Sequence, residues 1–475
     1  MEEKIKFGTD GWRAVIADEF TFQNVRVVAL AISEYLSSNN LTNNGIFIGY
    51  DNRFLSEEFA KEVALTLADK NFKVYLSSGS VPTPVTAFMV RELNLDGAIM
   101  ITASHNPPQY NGIKFIPSYG GPAVDEITQK IENNVNLVAR NIERFDREKI
   151  KKLETKINYV SNFEKYKQKI LRLIDTEIIK KAKPKVVVDP MYGAGSKILL
   201  DILNDLKIHV HPLNTSRDPL FGGKLPDPNE NNLAEMKDKM AKDEFDLGVA
   251  LDGDADRFGV IDGRRIFLTP NNVISLILYY LLKTRGHNSD DIVVRTVATT
   301  HLIDEICAKN NIKLVETPVG FKYIAQKMLT DKVIIGGEES GGLSIKNHIP
   351  EKDGILANLL LIEIQSFLNQ NHEGMFLSDY LNQIYKEFGS FYNKRLDLEV
   401  PMEKKNDVLE HFYNQKDKDI KGRSITRISK ENGIHISFDD KSWVLVRPSG
   451  TEPLIRCYIE SRDREFFHVL KNLFS

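Results

Sequence analysis

Residues 247–257 of this 475-residue chain read Leu-Gly-Val-Ala-Leu-Asp-Gly-Asp-Ala-Asp-Arg. The first five are apolar or glycine, as in a strand that is buried on both faces, and a polar loop follows at once. The same change occurs after 98–101, 185–189 and 332–336, and longer helix-like stretches lie between these runs. The alternation predicts α/β layers. Ligands of open α/β sheets bind at the carboxyl ends of strands, so the polar loops are where chemistry is expected.

The length of the chain exceeds what one hydrophobic core usually serves, which favours several domains of roughly 100–150 residues. Residues 138–183 are dense in Lys, Glu and Asn and indicate helix that crosses between two domains. A polar break at 369–374 precedes a last segment with strand-like runs at 434–438 and 443–446, which is typical of an α+β domain. We therefore predict four domains: 1–155, 156–264, 265–372 and 373–475.

The composition is that of an ordinary globular enzyme, with 42% apolar and 27% charged residues. A net charge of -3 gives no general attraction for nucleic acid or an anionic membrane. The first residues are charged and no apolar run approaches the roughly 20 residues that span a bilayer, so we expect a cytoplasmic protein. The two cysteines, Cys307 and Cys457, lack the spacing of a zinc site and predict no disulfide.

The first loop with chemistry is 102–108, Thr-Ala-Ser-His-Asn-Pro-Pro. Ser104 is a candidate nucleophile, and His105 beside it could transfer a proton or hold a phosphate. The alternative is a serine that caps a helix N-terminus. There is no Gly-x-Ser-x-Gly elbow at this loop, which counts against an esterase-type hydrolase.

The second loop carries Asp252, Asp254 and Asp256 at alternate positions. The small residues between them let three carboxylates turn toward one point, and hard oxygen ligands suit Mg²⁺. Arg257 follows and could bind a phosphate near the metal. A structural acidic turn is one alternative. A calcium EF-hand loop is another, but Gly263 stands where that loop needs a glutamate.

The third loop is 336–342, Gly-Gly-Glu-Glu-Ser-Gly-Gly. Its carboxylates and hydroxyl are suitable acceptors for the hydroxyls of a sugar. A solvated turn would have the same composition.

The fourth loop is 447–453, Arg-Pro-Ser-Gly-Thr-Glu-Pro. Guanidinium, hydroxyl and backbone amide donors, with Arg456 further on, would form a phosphate cradle, and a structural turn is the alternative. Together, the four loops indicate phosphoryl transfer on a sugar phosphate.

These four motifs, in this order along the chain, resemble those of the α-D-phosphohexomutase superfamily. The resemblance implies four domains around a central cleft, three with mixed α/β cores and a C-terminal α+β domain that closes over the substrate. It also implies a phosphorylated Ser104, Mg²⁺ as cofactor, glucose 1,6-bisphosphate as activator and a sugar phosphate as the small-molecule partner.

The resemblance assigns roles residue by residue. The Ser104 phosphate would share Mg²⁺ with the three aspartates, Arg13 would lie near it, and Lys114 and Lys352 are the acid/base candidates. The remaining matches concern substrate: Glu338 and Ser340 for sugar hydroxyls, and Arg447, Ser449, Gly450 and Thr451 for the non-reacting phosphate.

The sequence favours glucose over mannose as the sugar. The loop with Gly320 and Lys322, the Glu-Glu-Ser of the third loop and residues 348–354 resemble glucose-specific members. Dual-specificity members and phosphoglucosamine mutases carry His where this chain has Gly342, and the latter tend to have Gln where this chain has Glu339. A phosphomannomutase or a dual enzyme stays open, as do a catalytically silent sugar-phosphate binding protein and a metal-dependent phosphatase.

Overall fold

Four β-sheets follow one another along the chain, each with its own helices. The first three sheets mix parallel and antiparallel strands and the last is wholly antiparallel, which confirms the predicted fold class. In the described part of the chain, no helix combines the length and apolar character needed to cross a bilayer. The computed structural model describes residues 5–8, 10–138, 145–401, 404–414, 419–448 and 454–473.

The first sheet has the strand order β1-β5-β4-β2-β3-β6, and its central strands β2 and β4 are buried along their whole length. This is the double-sided burial that their continuous apolar sequences predict. Its elements are β1 (Trp12–Val15), α1 (Phe22–Ser38), β2 (Ile46–Tyr50), α2 (Ser56–Asp69), β3 (Val74–Ser77), α3 (Thr83–Glu92), β4 (Gly97–Ile101), β5 (Tyr110–Pro117), α4 (Asp125–Val138), α5 (Arg147–Glu154) and β6 (Ile157–Val160).

The stretch 138–183 differs from the helix expected there, because β6 interrupts it. β6 pairs in parallel with β3 and buries Ile157, so a short strand completes the edge of the first sheet where the composition indicated only helix.

The second sheet has the order β11-β10-β9-β7-β8, with β9 buried at its centre. Its elements, and the two helices that precede them, are α6 (Glu164–Leu171), α7 (Thr176–Ala182), β7 (Lys185–Asp189), α8 (Ser196–Asp205), β8 (His209–Pro212), α9 (Ala234–Lys242), β9 (Leu247–Leu251), β10 (Phe258–Asp262) and β11 (Phe267–Leu268).

The third sheet has the order β13-β12-β14-β15. Its elements are α10 (Pro270–Arg285), β12 (Asp291–Thr296), α11 (Leu302–Lys309), β13 (Lys313–Thr317), α12 (Phe321–Thr330), β14 (Lys332–Glu338), β15 (Gly342–Ile345), α13 (Gly354–Asn371) and α14 (Leu377–Phe388).

The fourth sheet has the order β16-β21-β20-β19-β18-β17. Its elements are β16 (Tyr392–Glu399), α15 (Lys405–Tyr413), β17 (Asp419–Ile420), β18 (Arg423–Ser429), β19 (Ile434–Phe438), β20 (Trp443–Pro448), β21 (Leu454–Ser461) and α16 (Arg464–Leu473).

Helix α13 is central to the largest hydrophobic core, which extends over elements of the first three domains. Asp353 caps this helix by accepting a hydrogen bond from the Leu356 amide at 3.0 Å. The same carboxylate accepts from the Tyr166 hydroxyl at 2.7 Å and contacts His348 Nε2 at 2.7 Å. The start of α13 is therefore fixed to α6 by a buried polar contact.

We predict that Leu360→Ala will destabilise the protein by about 2–5 kcal/mol, because Leu360 in α13 is fully buried and its truncation leaves a cavity. Thermal unfolding should show a clear fall in Tm. The matched control is Leu137→Ala in α4, where the side chain is 75% exposed and truncation should leave the Tm almost unchanged. Equal shifts in both variants would contradict the central position of α13.

Candidate functional site

The serine loop of the first domain contacts the acidic loop of the second. Ser104 follows β4 and donates a hydrogen bond from Oγ to Asp252 Oδ2, which follows β9, at 2.8 Å. Thr83, at the start of α3, donates to Asp254 Oδ2 at 2.6 Å. A Cβ on Gly253 would lie 2.6 Å from the Ser104 carbonyl oxygen, so this approach requires glycine. The two loops thus form one buried site.

The Ser104 backbone has φ of 53°, in the left-handed region that non-glycine residues rarely adopt. The buried guanidinium of Arg53 holds this conformation by donating to the carbonyl oxygens of Ser104 and Asn106, both at 2.6 Å, and of Pro107 at 2.8 Å. Sequence reasoning missed Arg53. The available signal was its position in the polar sequence Asp51-Asn52-Arg53 directly after β2.

Asp252, Asp254 and Asp256 form a compact buried cluster. One carboxylate oxygen from each lies within 4.8 Å of the others. Burial, followed by repulsion from the other two carboxylates, raises the pKa of Asp252 well above its usual range. Within the described residues, Asp254 Oδ1 and Asp256 Oδ1 are buried and have no hydrogen-bond partner. Such oxygens, close together in a polar loop, fit a hard divalent cation such as Mg²⁺.

Two lysines from different domains partly neutralise these carboxylates. Lys114 of β5 places its Nζ 2.8 Å from Asp254 and 3.0 Å from Asp256. Lys352 of the third domain lies 3.3 Å from Asp256. Asp10 bridges both ammonium groups, at 2.9 Å from Lys114 and 3.5 Å from Lys352. Burial acts to lower the pKa of Lys114, but the surrounding carboxylates outweigh it and raise that pKa. Sequence reasoning missed Asp10, although it lies three residues before Arg13.

The third loop lies beside Lys352. Ser340 Oγ donates to Glu338 Oε1 at 2.7 Å, so the two predicted sugar ligands are already paired with each other. A Cβ on Gly342 would lie 2.8 Å from Lys352 Cγ and closer still to its Cδ. The lysine therefore occupies the space that a side chain at position 342 would need. Glu339, which the sequence analysis used only as a marker of sugar preference, is buried, and burial followed by repulsion from Glu338 raises its pKa to about 7.

His105 and Arg13 lie on the serine loop side of the site. His105 Nδ1 is 3.3 Å from Ser104 Oγ. Arg13 Nη1 donates to Asn106 Oδ1 at 2.7 Å. Burial lowers the pKa of His105 well below its usual range, and nearby guanidinium groups lower it further: those of Arg257, Arg13, Arg395 and Arg456. The site thus combines an acidic cluster with a strongly positive surround.

The fourth domain contributes a pair of arginines. Arg447 of β20 and Arg456 of β21 are directly opposite each other in the antiparallel ladder. Like charges at such positions repel, and an anion bound between them would relieve the repulsion. Ser449, Gly450 and Thr451, the other predicted phosphate ligands, lie outside the described residues.

Gly320 and Lys322 flank Phe321, whose ring centroid lies 5.6 Å from the Lys352 Nζ. Gly320 has φ of 129° at the start of α12, a conformation that favours glycine. The Lys322 ammonium pairs with Asp125 of α4, and the Tyr323 hydroxyl donates to the same carboxylate at 2.9 Å. This contact joins the third domain to the first.

Family models cover almost the whole chain. All four describe successive domains of phosphoglucomutase/phosphomannomutase: α/β/α domain I matches residues 4–141, domain II 164–265, domain III 269–388 and the C-terminal domain 399–472.

Relatives of similar length carry names that differ in the sugar. A phosphoglucomutase/phosphomannomutase of Thermococcus kodakarensis is 30% identical and is covered over 95% of its length by 97% of this chain. A phosphoglucosamine/phosphogalactosamine mutase of Sulfurisphaera tokodaii is 31% identical, with 98% of this chain and 97% of that protein covered. The crystal structure of a candidate phosphomannomutase from Thermus thermophilus is 32% identical, with a TM-score of 0.83 and coverage of 99% of this chain and 98% of that one.

We predict that Asp254→Ala will weaken divalent metal binding at least tenfold, because it removes a buried carboxylate with an unpartnered oxygen. Calorimetric titration with Mn²⁺ or Mg²⁺ measures this. The matched control is Asp189→Ala: Asp189 is also buried, at the end of the neighbouring strand β7, but it lies outside the acidic cluster. Metal affinity that falls equally in both variants would contradict the site.

Proposed function

The chain belongs to the phosphoglucomutase/phosphomannomutase family of phosphohexomutases, which are isomerase-class enzymes, and we propose that it interconverts glucose 1-phosphate and glucose 6-phosphate. One observation carries the chemistry: the Ser104 hydroxyl donates to Asp252 inside a cluster of three buried carboxylates. A nucleophilic oxygen next to a candidate Mg²⁺ site fits phosphoryl transfer better than hydrolysis through a Ser-His-Asp triad.

Ser104 is the proposed carrier of the phosphoryl group. In the first half-reaction, a sugar hydroxyl forms a new P–O bond as the bond between phosphorus and Ser104 Oγ breaks. Asp252, Asp254 and Asp256, with an oxygen of the serine phosphate, would hold Mg²⁺. When bound, this ion supplies neutralisation of charge on the phosphoryl group. His105 Nδ1 lies 3.3 Å from Ser104 Oγ, and the Arg257 backbone amide donates to Asp252 Oδ1 at 3.0 Å, so the side chains of both residues are proposed to orient that phosphate.

Lys114 and Lys352 are the proposed proton carriers. One of these ammonium groups supplies a proton to the oxygen that leaves phosphorus, and the neutral amine so formed accepts the proton of the attacking sugar hydroxyl. Their contact with the common carboxylate of Asp10 supports the pairing, because it holds both ammonium groups beside the acidic cluster. Arg13, hydrogen-bonded to Asn106, is proposed to orient the Ser104 phosphate.

The first half-reaction leaves glucose 1,6-bisphosphate, which must turn before its other phosphate returns to Ser104. We propose that Arg447 and Arg456, with Ser449, Gly450 and Thr451, hold whichever phosphate is not reacting. Glu338 and Ser340 would bind the sugar hydroxyls, and Gly320 and Lys322 would line the substrate once the contact with Asp125 opens. Added glucose 1,6-bisphosphate is expected to activate the enzyme by phosphorylating Ser104.

Glucose is the preferred sugar in this proposal because Lys352 lies over Gly342. A side chain at position 342 and this lysine conformation exclude each other, and the dual-specificity members of the family carry a histidine there. The second candidate function is a dual phosphoglucomutase/phosphomannomutase, which the name of the Thermococcus kodakarensis relative favours.

The deciding experiment is a coupled assay with glucose 1-phosphate, Mg²⁺ and a trace of glucose 1,6-bisphosphate, run beside mannose 1-phosphate with its matching bisphosphate. A larger kcat/KM for the glucose ester is expected. A kcat/KM for the mannose ester that equals or exceeds it would replace the proposal with the dual or the mannose enzyme. Release of inorganic phosphate at the rate at which glucose 1-phosphate is consumed would instead indicate a phosphatase.

We predict that Ser104→Ala will abolish mutase turnover, by at least about a thousandfold, since no other group is proposed to carry the phosphoryl group. Incubation with labelled glucose 1,6-bisphosphate should phosphorylate the native protein but not the variant. Ser118→Ala, at an exposed turn of the same domain, is the control and should keep both properties. Near-normal turnover of Ser104→Ala would refute the nucleophile.

We predict that Gly342→Ala will lower kcat about tenfold or more, because the added Cβ overlaps the side chain of Lys352 and displaces its ammonium group. KM should change less, since the proposed phosphate ligands are untouched. Gly79→Ala is the control, because a Cβ there meets no heavy atom within 4 Å. An unchanged kcat in Gly342→Ala would show that Lys352 does not need its present position.

A further inference from the structure

A groove of about 490 Å³ opens where the first three domains meet. Its walls come from the end of α3, from α6, from the region between α12 and β14, and from the loop after β15. None of the residues proposed above for catalysis, metal binding or substrate binding lines it, although His348 and Ile349 belong to the segment 348–354 that resembles glucose-specific members. Its volume lies in the range of small-molecule sites. The groove is therefore separate from the catalytic cleft and has no role in the mechanism proposed above.

The charges of the groove are unbalanced toward the positive. Four of its lining residues are basic and two are acidic. Two of the basic residues form ion pairs with acidic residues that do not line the groove: Lys332 with Asp290 and Lys346 with Asp291. For the other two, Arg91 and Lys169, the described part of the chain provides no acidic partner within ion-pair distance.

The two unpaired cations line the same groove. Burial lowers the pKa of Lys169, and repulsion first from Arg91 and then from Arg172 lowers it further. Of the two acidic residues, Glu92 pairs with Lys165 outside the groove. A bound anion would relieve the repulsion between the cations, and a guanidinium group matches the geometry of phosphate oxygens.

The groove also has apolar walls. Phe88, Met328, Val333 and Ile349 contribute them, and three of the four are buried. A ligand that fits both features has an organic body as well as an anionic group. An inorganic ion would use only the cationic side.

Two elements connect the groove to the catalytic site. Helix α3 begins at Thr83, which donates to Asp254, and ends beside Arg91 in the groove. The segment 348–353 begins in the groove and contains Lys352. A ligand held between these elements would fix the position of the acidic loop relative to the lysine.

His348 strengthens this connection. Its side chain is fully buried, its Nε2 lies 2.7 Å from the Asp353 carboxylate that caps α13, and its Nδ1 has no hydrogen-bond partner in the described part of the chain. The Asp353 carboxylate also accepts a hydrogen bond from the Tyr166 hydroxyl. The centroid of the Tyr166 ring lies 5.6 Å from that of Phe88, which lines the groove. The groove wall is thus continuous with the start of α13.

We propose that the groove is a regulatory site for a small organic phosphate, which is held by Arg91 and Lys169 and changes turnover through α3 and the segment 348–353. The proposal is independent of which sugar the enzyme converts. Occupancy of the groove and the identity of the substrate are measured separately, so the failure of one leaves the other standing.

The direct test soaks crystals of the full chain in selenate, whose anomalous signal reports bound tetrahedral anions. We expect a peak between Arg91 and Lys169 in the native protein that is lost in the Arg91→Gln/Lys169→Gln double variant. Arg172→Gln is the matched control: it also removes a positive charge near Lys169, but Arg172 does not line the groove, so the peak should remain. Peaks confined to the catalytic cleft, or a groove peak that persists in the double variant, would overturn the proposal.

A kinetic test separates the groove from competition in the cleft. A cleft-bound anion raises KM and leaves kcat unchanged at saturating substrate, whereas a groove-bound anion should change kcat at least twofold. With glycerol 2-phosphate as the probe, we expect the change in kcat in the native enzyme and in Arg172→Gln, and its loss in the double variant. An unchanged kcat in the native enzyme, or an equal change in the double variant, would refute regulation through this groove.

Discussion

The buried acidic cluster at the end of β9 is the constraint on which the rest of the site depends. Three buried carboxylates repel one another, and their burial is unfavourable unless cations lie close by. Lys114 supplies one ammonium group from the first domain and Lys352 another from the third. A bound divalent cation would complete the neutralisation, because two of the carboxylate oxygens have no partner in the described part of the chain.

This constraint explains why the site lies between domains rather than within one. The second domain carries the carboxylates. The first domain supplies the hydroxyl of Ser104, the hydrogen bond that Thr83 donates to Asp254 and the carboxylate of Asp10 that bridges the two lysines. The arginines of the fourth domain complete the positive surround. Charges of opposite sign therefore attract the domains toward one centre, and the phosphate groups of a substrate would reinforce that attraction.

The sequence predicted the parts of the site that depend on local patterns. An apolar strand followed by a polar loop identified Ser104 and the three aspartates, because loops at the carboxyl ends of strands converge in an α/β fold. Arg53 and Asp10 were not predicted, because they contact residues that are tens or hundreds of positions away in the sequence. The contact between Lys322 and Asp125 was not predicted for the same reason. Strand β6 was missed because its pairing with β3 outweighed a helical composition.

Three glycines near the site are needed for close packing between segments rather than for chemistry. Gly253 lets the acidic loop approach the Ser104 carbonyl oxygen, and a Cβ on Gly121 would overlap the carbonyl oxygen of Pro350, two residues before Lys352. Gly342 leaves the space that the Lys352 side chain fills. Gly253 and Gly121 lie where segments distant in sequence meet, and all three glycines lie next to a proposed catalytic group. In the proposed mechanism Lys352 acts on the sugar, so a substitution at position 342 would change the sugar preference by moving this lysine, without itself contacting the sugar.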